Sequence, residues 1–172
     1  QAMSAFVADE LSEVLNTKVV IGRINMGLLN RIIIDDVLLD DQSGQEMLKV
    51  TRLSAKFDIM PFFKGKISIS SVQLFGFNIN LRKETPDSPP NFKFVLDAFA
   101  SKDTVKKENS LDLRINSILI RRGRMSYHVL SEEETPGKFN AKHIQLQNII
   151  ANISLKALSK DSLNLGIKRL SL

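Results

Sequence analysis

The sequence predicts a mainly β fold, in which an N-terminal α-helix leads into a strongly curved, mostly antiparallel sheet, with a short helix in an insertion. Three observations carry this. From Val19 onward the apolar residues recur with a period of two and are rich in Val, Ile and Leu, as half-buried strands require. Only residues 4–16 and a short stretch after Asn91 follow helical spacing. One pattern then recurs: apolar-x-apolar, two polar residues, apolar-x-apolar. About two copies are expected by chance at this composition, and seven occur.

The helix comes first. Ser4 is a plausible N-cap, Phe6 or Val7, Leu11, Val14 and Leu15 fall on one stripe, and Asn16 and Thr17 end it. The repeated pattern then gives Val19/Ile21 with Ile24/Met26, Ile32/Ile34 with Val37/Leu39, and Leu48/Val50 with Leu53/Ala55. Ile67/Ile69 with Val72/Leu74 is the fourth copy. The later copies are Leu113/Ile115 with Ile118/Ile120, Ile144/Leu146 with Ile149/Ala151, and Leu165/Ile167 with Leu170/Leu172. Side chains alternate faces along a strand, so a doubled polar pair moves the apolar set to the other face unless the strand bulges or bends there. A sheet whose strands all carry such a break curves strongly. Residues 66–81 and 112–129 also match each other at an offset of 46, with Gly76 and Gly123 near a further change of parity.

Turns separate these runs at 40–44, 132–137 and 159–162, and hairpins of long antiparallel strands are the economical reading. The organisation is therefore one unit: a helix over 4–16, a first sheet segment over 19–83, an insertion over 84–110 and a second sheet segment over 111–172. The insertion holds the Pro-rich loop 84–90, then Asn91 as a possible cap for a short helix bearing Phe92, Val95, Leu96 and Phe99. It ends in a polar tract, 101–110, whose composition suits a mobile segment. The abrupt opening Gln1-Ala2-Met3 and the end in mid-alternation lead us to expect a section of a longer protein.

Composition excludes much chemistry. In 172 residues there are no Cys, no Trp, one Tyr and two His. A disulfide framework, a zinc–thiolate site, an iron–sulfur cluster and a Cys nucleophile are thereby ruled out. The net charge of +5 is scattered and favours anionic partners only weakly. No apolar run approaches the roughly 18 residues of a membrane span. No phosphate loop, dinucleotide fingerprint or nucleophile elbow occurs. His128 and His143 lie in strand patterns without metal-ligand spacing or a nearby acid, and read as structural. Asp35-Asp36 and Asp40-Asp41 read as solvated bend and turn residues. Arg121-Arg122-Gly123-Arg124 lacks interleaved aromatics and reads as a solvated strand bend, with lipid head groups as a further contact and nucleic acid excluded as a partner. Phe57, Phe62, Phe63, Phe75 and Phe77 belong to a core or line a groove. No catalytic residue, metal ligand or cofactor is expected, and the chain does not read as an enzyme.

Five stretches in fixed order carry a resemblance: VVIGRI at 19–24, IIIDDVLLD at 32–40, LKVTRL at 48–53, FKGKISISSV at 63–72 and NFKFVL at 91–96. Together they resemble the N-terminal periplasmic region of the AsmA-like/TamB family of Gram-negative envelope proteins. The likeness covers about residues 10–100 and departs at Phe63, where the family usually has Leu. It implies a β-taco, a sheet folded into an apolar groove, anchored to the inner membrane by a segment outside this chain. It also implies a cell-envelope, periplasmic location and a non-enzymatic role in shielding phospholipid acyl chains between the two membranes. The alternative it implies is a scaffold for outer-membrane protein assembly with a barrel partner of the Omp85 type. Our candidates for groove lining are Ile67, Ile69, Val72, Leu74, Ile79, Leu81, Ile115, Ile118 and Ile120. The pattern uses both parities, so sequence leaves open which face is core.

Overall fold

A computed structural model describes residues 2–58, 67–102, 111–112, 117–158 and 163–171. Helix α1 spans Ala2–Leu15, followed by β1 (Val19–Gly27), β2 (Arg31–Asp40), β3 (Glu46–Phe57) and β4 (Ile67–Lys83). Helix α2 (Lys93–Lys102) precedes β5 (Leu111–Asp112), β6 (Ser117–Val129), β7 (His143–Leu158) and β8 (Leu163–Ser171). The expected mainly β, mostly antiparallel architecture is what forms. One open sheet runs β1-β2-β3-β4-β6-β7-β8, with the two-residue β5 beside β4. Among the described residues no helix is long and apolar enough to cross a membrane.

One junction departs from the hairpin reading. β4 and β6 pair in parallel, Ser71 with Ser117 through Lys83 with Val129, at the same offset of 46 that relates their sequences. Parallel neighbours need a crossover of a dozen or more residues, and the insertion supplies it. Like residues of the two copies therefore stand side by side: Val72 beside Ile118, Leu74 beside Ile120.

The parity breaks take physical form as a crease. Asp36, Gly76, Arg122 and Asn148 all have positive φ, at 56, 68, 52 and 54°. A strand residue in that region reverses the pleat alternation. These residues lie on one line across the sheet. Gly22 faces Asp36, and Thr51 sits between Asp36 and Gly76, while Arg122 and Asn148 flank the Gly123–Ile149 pair. Two other polar pairs are resolved as register slips, one opposite Lys56/Phe57 and one opposite Asn152/Ile153. A Cβ at Gly22 would lie 2.9 Å from Asp36 Cβ, so a larger residue there would force the two strands to shift.

The crease keeps the apolar residues on one face. On one side of it runs the ladder Val19–Leu39–Leu48–Ile79–Met125–Leu146; on the other run Ile24–Ile34–Leu53–Leu74–Ile120–Ala151 and Met26–Ile32–Ala55–Val72–Ile118–Ile153. Two apolar clusters join ladders from both sides. The first packs Ala8 and Leu15 of α1 on Val19, Ile21, Leu39 and Met47, with Ile24, Ile34, Phe92, Phe94 and Val95 around them. The second centres on Ile120, Ile149 and Ala151.

Several local expectations are corrected. α1 begins at Ala2, so Ser4 is not its cap but a buried residue inside it. Its buried side runs through Ala8 and Leu15, with Val7 and Leu11 packed beside them, and leaves Phe6 and Val14 exposed. Asn16 does end it, in the left-handed conformation, with Thr17 N–H donating to Ser12 O at 3.2 Å. Asn91 does not cap α2. Its Oδ1 accepts from Arg82 N–H at 3.0 Å, its Nδ2 donates to Asn80 O at 3.0 Å, and its own N–H donates to Arg82 O at 2.9 Å. Asn91 thus satisfies the edge of β4 beyond the point where β3 runs out.

Two of the acids, Asp35 and Asp41, are not solvated. Asp35 is buried on the polar face between Arg23 and Arg52: Arg52 Nε donates to Oδ1 at 2.6 Å and Arg23 donates to Oδ2 at 3.2 Å. Asp41 is 2% exposed. Its Oδ1 accepts from the N–H groups of Ser43 and Gln45, both at 3.0 Å, and from Ser43 Oγ at 2.7 Å, while Oδ2 takes Arg82 and Asn91. The Arg52 hydrogen bond, ahead of the opposing effect of burial, holds Asp35 below the ordinary carboxylate range. For Asp41 burial is the largest influence and pushes upward, but the hydrogen bonds from Ser43, Gln45 and Asn91 and the charge of Arg82 together outweigh it. The exposed Asp36 fits the bend reading, and Asp40 stands half-buried at the end of β2.

A pH dependence follows. A carboxylate whose folded pKa lies below its unfolded value stabilises the fold above the unfolded value, about 3.9 for Asp. That contribution is lost as pH falls through the folded pKa. Urea midpoints measured from pH 5 to pH 2.5 should therefore decline below about pH 4, and less steeply in the Asp35→Asn, Asp41→Asn double variant.

Candidate functional site

The candidate site is the apolar face of β4, β6 and β7. Strand pairing fixes it: Leu74, Ile120 and Ala151 form one row, Val72, Ile118 and Ile153 the next, and Ile79, Met125 and Leu146 a row beyond the crease. The helix-covered cluster ends at β3, with α1 and the segment around α2 lying over β1, β2 and the start of β3. The second cluster consists, among the described residues, of strand residues alone: Leu74, Phe77, Ile118, Ile120, Met125, Leu146, Ile149, Ala151 and Ile153. Ile120 is 9% exposed and Ala151 3%, whereas Leu74, Phe77, Ile118 and Met125 are half-buried.

The predicted lining residues distribute as follows. Val72, Leu74, Ile79, Ile118 and Ile120 stand on this face in adjacent rows, with Val72 and Ile120 buried and the others half-buried. Ile69, opposite Phe57, returns to the same face through the register slip beside it. Leu81 lies at the far end beside Tyr127 and is half-buried. The backbone of Ile67 pairs with Leu111; Ile115 lies outside the described residues, as do Phe62, Phe63, the tract 103–110 and the turn 159–162. Met125, Leu146 and Ile149 also stand on this face and are not among the sequence candidates for its lining. Phe77, a candidate for core or groove, lies on this face through the ladder it shares with Val50. Phe75 falls on the opposite face, 42% exposed, with the Arg122 guanidinium 5.3 Å from its ring centroid.

That opposite face carries the charges, with Val20, Ile33, Leu38 and Leu119 also standing on it. Arg23, Asp35, Arg52, Phe75 and Arg121 form its central row, and Asn80 and Ser126 hydrogen-bond across β4 and β6 at 2.8 Å. The sheet thus sets a mainly apolar side against one that carries the charges. No family model and no curated protein matches the chain. The function must therefore be argued from this two-sided sheet.

The histidines stand closer together than their sequence positions suggest. His128 and His143, expected as structural strand residues without a nearby acid, are direct cross-strand partners with Nδ1 atoms 2.8 Å apart, and the Glu134 carboxylate lies close to both. The signal was the hairpin register: a loop over 130–142 returns the chain so that residues 15 apart meet.

Proposed function

We propose that this chain is a section of an AsmA/TamB-like envelope protein whose apolar sheet face shields lipid acyl chains on their way between membranes. One observation carries the reading: the apolar rows on both sides of the crease continue across the sheet onto β4, β6 and β7, where the described residues supply no helix to cover them. A half-covered apolar face calls for a ligand or a partner. Acyl chains suit it because the rows are aliphatic and run across several strands, with no polar group to orient a specific head. Transport along such a face is passive: tails lie along the apolar rows, head groups stay at the edge in water, and direction comes from elsewhere. The location in the periplasm and the inner-membrane anchor belong to this same proposal, as does the family itself.

The test is photocrosslinking. A benzophenone side chain placed at Leu74 or Ile118 should capture phospholipid in protein expressed in a Gram-negative envelope. The same group at Gln73 or Asn80, on the polar face, should capture at least about tenfold less, reflecting the partition of acyl chains to apolar surface. Equal capture on both faces sinks the proposal. Capture of polypeptide at the β1 edge, with no lipid at Leu74, would favour the assembly-scaffold reading instead; among the described residues β1 pairs with β2 alone, leaving its outer edge open to strand addition.

A further inference from the structure

The chain has two histidines, and the fold puts them side by side. His128 lies at the end of β6 and His143 at the start of β7, both half-buried. His143 Nε2 lies 2.8 Å from Glu132 O, a carbonyl that can only accept, so Nε2 carries the proton and Nδ1 holds a lone pair. The Nδ1···Nδ1 contact of 2.8 Å is then a hydrogen bond donated by His128. The carboxylate of Glu134 completes the group, with the three ligand atoms all within 4.8 Å of one another. They line an open cleft of about 260 Å³ that Thr135, Pro136 and Asn140 also border.

We propose that His128, His143 and Glu134 form a divalent transition-metal site of the zinc type. The donor set is two imidazole nitrogens and one carboxylate oxygen, which suits Zn²⁺ and leaves a fourth position for water. Binding replaces the shared hydrogen bond: the His128 proton moves from Nδ1 to Nε2, the ring stays neutral, and both Nδ1 lone pairs turn to the metal. With Zn–N bonds of about 2.0–2.1 Å, a tetrahedral ion sets the nitrogens about 3.3 Å apart, so the pair opens by only about 0.5 Å. The outer support is already built. The Glu132 carbonyl fixes the His143 tautomer, as an outer carbonyl does at many histidine–metal sites. Lys142 pairs with Glu132 at 3.0 Å, and Val129 N–H donates to Lys142 O at 2.8 Å, closing the base of the loop. Lys138 also borders the cleft and opposes a cation there. Arg82, beside His128 on β4, is tied to Asp41. The metal staples the loop 130–142 to the end of the β6–β7 hairpin, away from the apolar rows, so the site stands apart from the lipid proposal.

Calorimetric titration of untagged, chelator-stripped protein with ZnCl₂ at pH 7.5 tests it. One Zn²⁺ should bind per chain with Kd below about 10 μM, and Co²⁺ should give the intense visible bands of a tetrahedral site. His128→Asn or His143→Asn should weaken Zn²⁺ binding at least about 50-fold and Glu134→Gln about tenfold, while Lys138→Gln should tighten it about two- to fivefold. Absence of saturable binding up to 100-fold above that limit (about 1 mM) overturns the proposal, as does unchanged affinity in the histidine variants. Glu134→Gln alters an exposed loop residue and leaves the strands intact, so unchanged affinity there overturns the three-ligand site even where a histidine variant misfolds.

Discussion

Asp41→Ala is expected to destabilise the protein by about 3–4 kcal/mol, near the cost of breaking a buried ion pair. The carboxylate is 2% exposed and takes five hydrogen bonds from four residues. Its removal leaves the N–H groups of Ser43 and Gln45 without that acceptor and takes the carboxylate from Arg82, whose side chain is only 22% exposed and keeps Ser43 Oγ at 2.6 Å. It also loosens Asn91, which carries the edge of β4. The β2–β3 turn, the end of β4 and the entrance to α2 therefore come apart together. Urea unfolding checks the magnitude, and a cycle with Arg82→Met apportions it. Arg82→Met alone should cost about 1–2 kcal/mol, since Asp41 keeps its bonds to Ser43 and Gln45, and the coupling between the two sites should exceed about 1 kcal/mol. Asp41→Asn retains a carbonyl for those N–H groups and should lose roughly half as much as Asp41→Ala. Additive effects at Asp41 and Arg82 would show that the turn and the strand end are held independently.

The difference between that residue and its sequence reading shows where sequence patterns stop. Periodicity reports which residues alternate, and here it located the strands, the change of parity and the offset of 46 that became the β4–β6 register. It even marked the crease, because Asp35-Asp36, Gly76 and Gln147-Asn148 are the polar breaks where the backbone turns left-handed. What it could not convey was convergence. Asp41, Arg82 and Asn91 are 41 and 50 residues apart along the chain at their first and last contacts. His128 and His143 meet only once a register is chosen. A polar residue in a turn is usually solvated, and nothing local distinguishes an Asp that a later strand will cover. The same limit applied to the apolar face: both parities were used, so the side that carries Val72, Leu74, Ile118 and Ile120 became visible only when the crease put the two parities on one face.

The crease itself gives the second large expected effect. Gly76→Ala should cost about 3 kcal/mol, through two separate causes. Gly76 has φ of 68°, where an L side chain pays about 1–2 kcal/mol. In addition, a Cβ at this position would lie 2.8 Å from Thr51 Cβ on the neighbouring strand, well inside van der Waals contact. Thr51 sits on β3 between residues whose neighbours pair firmly, Val50 with Phe77 and Arg52 with Phe75, so it cannot retreat without moving both strands. The two causes separate experimentally. Thr51→Gly removes the clash and leaves the backbone strain, so the Thr51→Gly, Gly76→Ala pair should recover about 1–2 kcal/mol relative to the sum of the single variants. Asp36 and Asn148 already occupy the left-handed region at the same line, and Asn and Asp tolerate it better than Ala. Gly76→Asn should therefore lose less through the backbone than its larger volume alone would suggest. Because the crease is what carries the apolar rows from Leu74 to Phe77 on one face, the Gly76→Ala variant should also lower lipid capture at Ile79 relative to Leu74. Equal capture at both positions in a destabilised variant would mean that the crease supports the fold without shaping the apolar face.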